Sequence, residues 1–443
     1  MKIGSSTVVK KPTKIFIVCI LYKILIELSY IYGISVFLDY SGIEIQFSML
    51  KYLFSWMAFV VITGWSIFGV KSDYIGNINI ILLVFSYIPT MSLWGIKKGI
   101  GWSGILVIFF YFIMMIIGCQ LIQKILNVKK KNKNSDSIIF DDKNKKHYVI
   151  LLLISVIIFF IMLLFHQMVI PNRWSLALSD SLSARLEART IVIPTVFRYI
   201  YMITATAIAP ILFVYSMAMN KKLCMLINLT TSYLAYLYNG MKTYILIYAF
   251  IIGIFILAKR KDSILDIIYK IIGGLSALWA LGILTWKAIG NNFFLAYLHR
   301  MFTLPAEMHY YYYDFFSKNE LIYLRDSVGR FWGTSPYTPS ASRVIGKIYY
   351  FSETNNATNG LFSDFFANFG FVGLIVYPII IFGVFWLLGK QLEDYSNFSV
   401  LSITFILLIV LMNNTFFTWL LTGGYIFSLI LIRVIRRVKI RKI

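Results

Sequence analysis

The sequence predicts an all-α, polytopic membrane protein with about twelve transmembrane helices and a large extracytoplasmic loop between the ninth and the tenth. Its 443 residues are 59% hydrophobic and only 14% charged, a composition too apolar for a soluble domain. Its apolar stretches run for roughly twenty residues, the length that crosses a bilayer as a helix. Because these stretches lack the alternating pattern of a membrane β-barrel, helices are the spanning element.

Twelve segments have this apolar character, and together they make the whole chain, 1–443, a single integral membrane domain. A basic N-terminus precedes the first segment, but no small-residue cleavage site follows it, so we interpret that segment as an uncleaved span. The predicted spans are residues 15–37, 50–70, 77–95, 101–124, 148–170, 194–218, 223–238, 243–258, 264–286, 362–388, 398–413 and 415–432.

The positive charge of the chain indicates its orientation. With 42 Lys and Arg against 19 Asp and Glu, the net charge is +23, but most of the cations lie in short loops that an alternating topology places on one side. This bias is typical of cytoplasmic loops, so we expect both termini in the cytoplasm and no nucleic-acid partner. The exceptions are Lys97 and Lys98, which fall on the outer side between the third and fourth spans. The inner basic positions are Lys71, 124–146, Lys221, Lys222, 259–261, Lys390 and 433–442.

Three segments outside the spans stand out. Residues 127–147 are a Lys/Asn/Asp-rich linker, expected to be cytoplasmic and solvated. Residues 171–193 form a first basic outer loop, and 287–361 form the large outer loop, the longest stretch available to cover a site. Within the large loop, stretches with few helix breakers predict helices at 292–302 and 306–317, followed by a Gly/Ser/Thr/Pro-rich middle at 328–342.

The first basic outer loop carries arginines on the side where the orientation bias disfavours them. Arg185 and Arg189 are four residues apart, so on a helix their guanidinium groups lie side by side. Two adjacent guanidinium forks suit the bidentate oxygens of a pyrophosphate. The alternative is a surface helix whose arginines contact lipid headgroups or pair with Glu187 and Asp180.

The large loop contains further cations and acids, the residue types that an enzyme transferring a glycan from a lipid pyrophosphate would need. A glycan transfer from a lipid pyrophosphate requires cations to stabilise the departing phosphate and a base for the attacking hydroxyl. Both residue types are present: the cations are Arg300, Lys318, Arg325, Arg330, Arg343 and Lys347, and the acids are Glu307, Asp314, Glu320, Asp326 and Glu353. The aromatic run at 309–316 offers faces for sugar stacking, although tyrosines also mark membrane boundaries.

Metal and cofactor chemistry has little support in the sequence. His299 and His309 are ten residues apart without a third ligand nearby, so we expect no metal site and no cofactor. The three cysteines lie in or beside apolar segments without paired spacing, which predicts no disulfide framework. Charges inside the spans are few. Lys23 with Glu27 and Asp266 with Lys270 have the spacing of intrahelical pairs, an arrangement unlike a proton-driven transporter.

The order of these features resembles the bacterial Wzy-type oligosaccharide repeat-unit polymerases, the O-antigen and capsular polysaccharide polymerases. Residues 239–243, NGMKT, are similar to the family's glycine-x-Arg/Lys turn, and residues 358–373, TNGLFSDFFANFGFVG, to its "Asn then Phe-Gly-x-x-Gly" pattern before the following span. Two features depart from related proteins: no arginine in the outer loops is followed eleven residues later by glycine, and Thr358 stands where the O-antigen ligases have histidine. The second departure favours a polymerase over a ligase.

The resemblance implies a metal-independent membrane glycosyltransferase in the bacterial cytoplasmic membrane. It would join undecaprenyl-pyrophosphate-linked oligosaccharide repeat units at the outer face, with a flippase and a chain-length regulator as partners beside the lipid bilayer. Arg185, Arg189, Lys242 and Asn359 would bind the substrate. Arg300 and Arg330 would assist, and Asp364 or Glu353 would activate the acceptor hydroxyl.

Other functions remain open at this stage. A lipid-linked oligosaccharide flippase also has about twelve spans, although the long outer loop is unusual for one. An O-antigen ligase-like transferase is a second alternative. A glycosyltransferase with a metal-held donor would use acids of the first outer loop, where only Asp39 and Glu44 occur. A non-enzymatic assembly protein is the fourth alternative.

Overall fold

The structure, a computed structural model, describes residues 6–38, 43–126, 145–177, 180–258, 262–353 and 355–437. These residues contain helices and no β-strand, with one isolated antiparallel bridge between Ile45 and Lys97. Several sequence predictions lie outside the described residues: Asp39, most of the 127–147 linker, the 259–261 cluster and the end of the basic tail.

The helices follow one another in the order expected for a multi-span chain. The first half contains α1 (Ser6–Ser29), α2 (Ser35–Phe37), α3 (Met49–Gly64), α4 (Tyr74–Leu82), α5 (Ile88–Ser92), α6 (Trp102–Ile125), α7 (Lys145–Val169), α8 (Ser181–Ala188), α9 (Thr195–Ile203), α10 (Ala209–Ala218) and α11 (Lys222–Asn239). The second half contains α12 (Thr243–Leu257), α13 (Ile264–Ile289), α14 (Phe293–Leu298), α15 (Leu304–Phe316), α16 (Ala341–Tyr350), α17 (Phe362–Leu392), α18 (Asn397–Met412), α19 (Phe416–Leu420) and α20 (Tyr425–Arg437). Short π-helical segments occupy Tyr30–Ile34, Trp65–Gly69, Leu83–Tyr87, Thr204–Ile208 and His299–Thr303, and a 3-10 turn occupies Val328–Phe331.

The chain is an all-helical membrane protein. Among the described residues, nine helical segments are long and apolar enough to cross a bilayer. Two further helices, Thr243–Leu257 and Asn397–Met412, are apolar but shorter. The remaining predicted span, 223–238, corresponds to α11, so all twelve predicted segments are helical. The nine segments are Lys11–Phe37, Met49–Gly69, Tyr74–Ser92, Trp102–Ile125, Tyr148–Val169, Thr195–Ala218, Ile264–Ile289, Phe362–Leu392 and Phe416–Ile435.

The helices form two compact units that interleave along the chain. The first unit comprises Met1–Lys130 and Ser263–Leu387, and the second comprises Lys131–Asp262 and Leu388–Ile443. In the first unit α1 packs along α13, and the segment Tyr74–Ser92 is buried along its whole length. In the second unit α11 is the central helix, since α7, α8 and α10 all pack against it.

Three loops of the first unit meet at one end, which we call its loop end. Lys98 there forms an ion pair with Glu44 of the α2–α3 loop. Lys97 forms a buried ion pair with Glu307 of α15, a helix within the large loop 287–361. The two lysines that depart from the orientation bias therefore each have an acidic partner, so their charge needs no cytoplasmic environment.

The opposite end of the first unit has its own polar contacts. Lys11 Nζ lies 2.9 Å from Asp266 Oδ2, and Asp266 also caps α13 through Ser263. Gln123 Nε2 donates to Asp73 Oδ1 at 2.7 Å. Successive helices of this unit thus begin and end at alternate ends, as the predicted topology requires for these spans.

The intramembrane pair of Lys23 and Glu27 is confirmed. Both side chains are buried and form an ion pair along α1. The Ser55 hydroxyl lies 2.8 Å from Lys23 Nζ, and the Tyr52 hydroxyl donates to Glu27 at 3.1 Å. A charged pair in a span is costly unless its members are satisfied in this way.

The start of α17 is sharply bent at Gly370, where φ is +56° and ψ is −136°. Only glycine adopts this conformation readily. The sequence pattern around Gly370 and Gly373 is equally typical of close packing between two helices, but here the glycines serve a bend within one helix. A Cβ on Gly373 would clash with the carbonyl oxygen of Phe365, on the other arm of the bend.

Candidate functional site

The first basic outer loop lies against the end of α11, held there by tyrosine hydroxyls. Tyr236 donates to the carbonyl of Ala177 at 3.2 Å, and Tyr238 donates to the carbonyl of Ala188 at 3.2 Å. Both tyrosine side chains are buried. Backbone carbonyls that would otherwise need water are satisfied by these donors, which hold Ala177 and the last residue of α8 against α11.

The short helix α8 docks on the turn that follows α11. Gly240 ends α11 with φ +62°, the left-handed conformation common at helix C-termini. A Cβ at Gly240 would clash with the Ser181 carbonyl oxygen, so only glycine allows α8 this close. Arg185 Nη2 donates to the Gly240 carbonyl at 3.4 Å. Two motifs separated by more than fifty residues in sequence, the arginine helix and the turn that leads into Lys242, are therefore neighbours.

The cations of this surface have different environments. Arg173 forms an ion pair with Glu187 and donates to the Leu237 carbonyl at 3.4 Å, so it stabilises the loop. Arg185 is half-buried, whereas Arg189 at the end of α8 is exposed. Residues 181–188 form a helix that includes Arg185, and Arg189 is the residue at its C-terminal cap. Glu187 of this helix pairs with Arg173.

A buried ionic cluster occupies the loop end of the first unit. Lys97 Nζ lies 3.3 Å from Glu307 Oε2, and their side chains are only 4% and 1% exposed. Tyr30 donates to the other carboxylate oxygen of Glu307 at 2.8 Å. Lys97 also lies over the ring of Tyr311, 5.7 Å from its centroid. Burial lowers the pKa of Lys97, but Glu307 and Tyr311 outweigh burial and raise it above its ordinary value.

A second buried cluster surrounds Asn359. Its side-chain amide donates to the Pro305 carbonyl at 3.0 Å and to the Ser363 hydroxyl at 2.9 Å. Ser363 Oγ in turn lies 3.0 Å from His309 Nδ1, an arrangement in which the hydroxyl donates to a neutral imidazole. Burial lowers the pKa of His309 to about 3. Asn359 thus fixes the start of α17 to α15 at the loop end.

The neutral state of His309 predicts a specific acid sensitivity. Because its pKa in the folded protein is below its ordinary 6.5, its contribution to stability is complete above pH 6.5 and falls as the pH is lowered toward about 3. We expect the free energy of unfolding to fall by up to about 1.4 kcal/mol per pH unit in this window from this group. Thermal unfolding of the detergent-solubilised protein from pH 7 to 4 measures the slope. The slope should be shallower in His309→Gln, and equal slopes would contradict the assignment.

Asp364 lies one residue after Ser363 and is 5% exposed. Asn368 donates to Asp364 Oδ1 at 3.0 Å, and its own side-chain oxygen accepts the backbone N–H of Leu324 at 2.7 Å. The first arm of α17 therefore joins Asp364 to the 321–324 segment of the large loop. Tyr312 is close enough for the charge of Asp364 to contribute to the raised pKa of its hydroxyl, after the larger effect of burial.

The other predicted site residues of the large loop lie at its surface. The side chain of Glu353 is 79% exposed and pairs with Lys347 at 2.8 Å, which lowers the pKa of its carboxyl. A general base at neutral pH needs the opposite shift, so Glu353 is poorly suited to that role. Arg300 is exposed, and so is Arg330, whose guanidinium donates to the Asp326 carbonyl at 3.2 Å.

Some residues that the structure brings together had only weak signals in the sequence. Lys97 stood out only as an exception to the orientation bias. Glu307 is an acid inside an apolar, aromatic helix, a placement that indicates a buried partner. The sequence indicated His309 only as a weak metal ligand and as the start of the 309–316 aromatic run. In the described part of the chain, no three His, Cys, Asp or Glu side chains converge as a metal-binding group.

The predicted helices of the large loop are largely confirmed. Helix α14 and the π-helical segment after it cover the first prediction, and α15 covers the second. The 328–342 segment is irregular except for the 3-10 turn and the start of α16, a helix that was not predicted.

No protein-family model, curated protein or solved structure matches this chain.

Proposed function

We propose that this protein is a polysaccharide polymerase of the Wzy type. It joins undecaprenyl-pyrophosphate-linked oligosaccharide repeat units at the outer face of a bacterial cytoplasmic membrane. The growing glycan leaves its pyrophosphate carrier as the hydroxyl of a newly delivered repeat unit attacks the sugar carbon that the pyrophosphate held. The hydroxyl proton passes to a base, and the pyrophosphate departs on its lipid.

The observation that carries this proposal is the docking of α8 on the Gly240 turn. Three cations, Arg185, Arg189 and Lys242, lie on two segments that meet through the Arg185–Gly240 hydrogen bond. Guanidinium groups bind two phosphate oxygens at once, and an ammonium adds a compact charge. A pyrophosphate that becomes a leaving group gains negative charge in the transition state, so fixed cations stabilise that state more than the substrate.

The acceptor side of the proposal rests on the first unit. Asp364 is the proposed base, since it is buried and fixed by Asn368 at the start of a span. Asn359, five residues earlier, already donates hydrogen bonds to the Pro305 carbonyl and the Ser363 hydroxyl. Its proposed role is therefore to shape the site rather than to bind the sugar directly. Arg300 assists from the exposed surface of the same unit.

The proposed topology has about twelve spans, with both termini in the cytoplasm and residues 287–361 outside. Two structural features support it. Helices of the first unit alternate between its ends, and the lysines at the loop end are paired with Glu44 and Glu307. The positive bias of the remaining short loops supports an outer position for the loop end.

Deleting the gene and separating cell-surface glycan by size tests the reaction. Loss of a polymerase leaves single repeats on the carrier, exposed at the outer face. Loss of a flippase traps lipid-linked units inside, and loss of a ligase leaves long glycan on its lipid carrier. Either of the last two results, or unchanged glycan, would reject the polymerase.

Replacing Arg189 by alanine tests the pyrophosphate site. We expect polymer yield to fall roughly 100-fold, the typical loss for one group that stabilises a developing charge. Arg189→Lys should retain part of the activity. Lys222→Ala removes a cation at the opposite end of α11 and is the matched control, with yield unchanged. Normal chain length and yield in Arg189→Ala, at normal protein level, would exclude Arg189 from the site.

A further inference from the structure

An exposed aromatic surface lies beside the start of α17 in the first unit. The side chains of Tyr323, Phe331 and Trp332 are 49%, 95% and 64% exposed. Leaving one large apolar side chain in water rather than burying it costs about 1.5–3 kcal/mol, so a cluster of three indicates a partner. The Trp332 indole N–H donates to the Tyr323 carbonyl at 3.3 Å, which holds the two ends of the cluster together.

The depth of this surface follows from the bend in α17. The roughly 22 residues after Gly370 measure about 33 Å at 1.5 Å per residue, enough to cross the hydrocarbon core without the first arm. Gly370 therefore lies at the hydrocarbon boundary. Phe371 and Val372, on the first turn of this spanning arm, are both exposed, as the lipid-facing residues of a span are.

Backbone contacts tie the aromatic surface to that boundary. Leu321 lies against Gly370, with its Cδ1 3.3 Å from where a Cβ would stand. The N–H of Ile322 donates to the Ala367 carbonyl at 2.9 Å, and the N–H of Leu324 donates to Asn368 at 2.7 Å. These contacts hold the segment that carries the exposed aromatics against the first arm of α17, next to Gly370.

Cations accompany the aromatics. Arg330 is exposed and directly precedes Phe331, and the Arg325 guanidinium lies 5.8 Å from the centroid of the Tyr323 ring. Tyrosine and tryptophan with neighbouring arginines are the residues enriched where a membrane meets water. A protein partner would require neither this composition nor a position next to the start of a span.

We propose that Tyr323, Phe331 and Trp332 form an interfacial anchor that inserts into the lipid leaflet at the loop end, with Arg330 among the headgroup phosphates. The anchor fixes the 321–332 segment to the bilayer surface, and through Asn368 it fixes the first arm of α17. The assignment also gives Arg330 a lipid phosphate as its partner, in place of the substrate role expected from the sequence. It does not depend on the proposed polymerase activity.

Site-directed spin labelling tests the anchor. Cys19, Cys119 and Cys224 are buried, so a cysteine introduced at Phe331 or Trp332 is labelled selectively, with the unmodified protein as the blank. In vesicles of phosphatidylethanolamine and phosphatidylglycerol, nitroxides at both positions should collide with oxygen several-fold more, relative to a water-soluble nickel chelate, than a nitroxide at Glu353→Cys. Equal ratios at the three positions mean that the surface faces water. Low access to both reagents means that protein covers it, and either result overturns the proposal.

Trp332 provides a second measurement that needs no label. Brominated lipids quench tryptophans that reach the bilayer, so the difference in fluorescence between the wild type and Trp332→Phe isolates this residue. We expect that difference to shrink strongly in vesicles brominated near the headgroup and less in those brominated at the chain ends. A difference that brominated lipids leave unchanged would place Trp332 outside the membrane and reject the anchor.

Discussion

Replacing Glu307 by alanine is expected to destabilise the first unit by about 3–5 kcal/mol, because Lys97 would remain buried without a partner. The Lys97 ammonium is 4% exposed, so water cannot replace the lost carboxylate. Tyr30 would also lose the acceptor of its hydroxyl proton. Chemical or thermal unfolding of the detergent-solubilised protein measures the change.

The neighbouring pair of Lys98 and Glu44 is the matched control. Both side chains are more than half exposed, so Glu44→Ala should cost less than about 1 kcal/mol. Replacing Lys97 by methionine and Glu307 by leucine together should recover most of the lost stability, since an apolar pair leaves no buried charge. Equal effects of Glu307→Ala and Glu44→Ala would show that the buried pair contributes no more than a surface one.

Gly240→Ala is the second substitution with a large expected effect. Its φ of +62° strains any residue with a Cβ by about 1–2 kcal/mol, and the Cβ would also clash with the Ser181 carbonyl. Displacing α8 adds about 1–3 kcal/mol, typical of overpacking. We expect a total loss of about 2–5 kcal/mol and faster hydrogen exchange across residues 181–189.

Gly253 is the control for this substitution. It lies inside α12, in helical conformation, with open space where a Cβ would stand, so Gly253→Ala should be neutral or slightly stabilising. Under the proposed function, Gly240→Ala also lowers polymer yield, because it moves Arg185 away from Lys242. If Gly240→Ala unfolds and exchanges like Gly253→Ala, the close docking of α8 is wrong.

The spans were predictable because their cause is local. A run of about twenty apolar residues forms a helix in a bilayer whatever its neighbours are, since the backbone must satisfy its own hydrogen bonds there. The helix carrying His309 was predictable from the absence of breakers. Helix α16 was missed because Gly346 within it and the Gly/Pro-rich residues before it favour a loop, and its start depends on Asp326 accepting the N–H of Ala341 at 3.0 Å.

The candidate site depends on contacts between residues far apart in the sequence, and the sequence alone did not predict those contacts. Arg185 and Gly240 are 55 residues apart, and Tyr30 and Glu307 are 277 residues apart. One sequence carries no record of which distant residues pack together. Glu353 and Asp364 appeared equivalent as bases in the sequence. Only burial separated them, because Glu353 pairs with Lys347 in water and Asp364 lies inside the first unit.

The sequence by itself determined that this is a helical membrane protein, where its apolar helices lie and how its charges are biased, since hydropathy and charge act residue by residue on the transfer of a segment into lipid. The tertiary structure decided that Lys97 is an ion-pair partner rather than a topological anomaly. It also decided that Gly370 bends a helix and that α8 reaches the Gly240 turn. These depend on which side chains exclude water together, and burial of a charge or a carbonyl is a property of the packed chain.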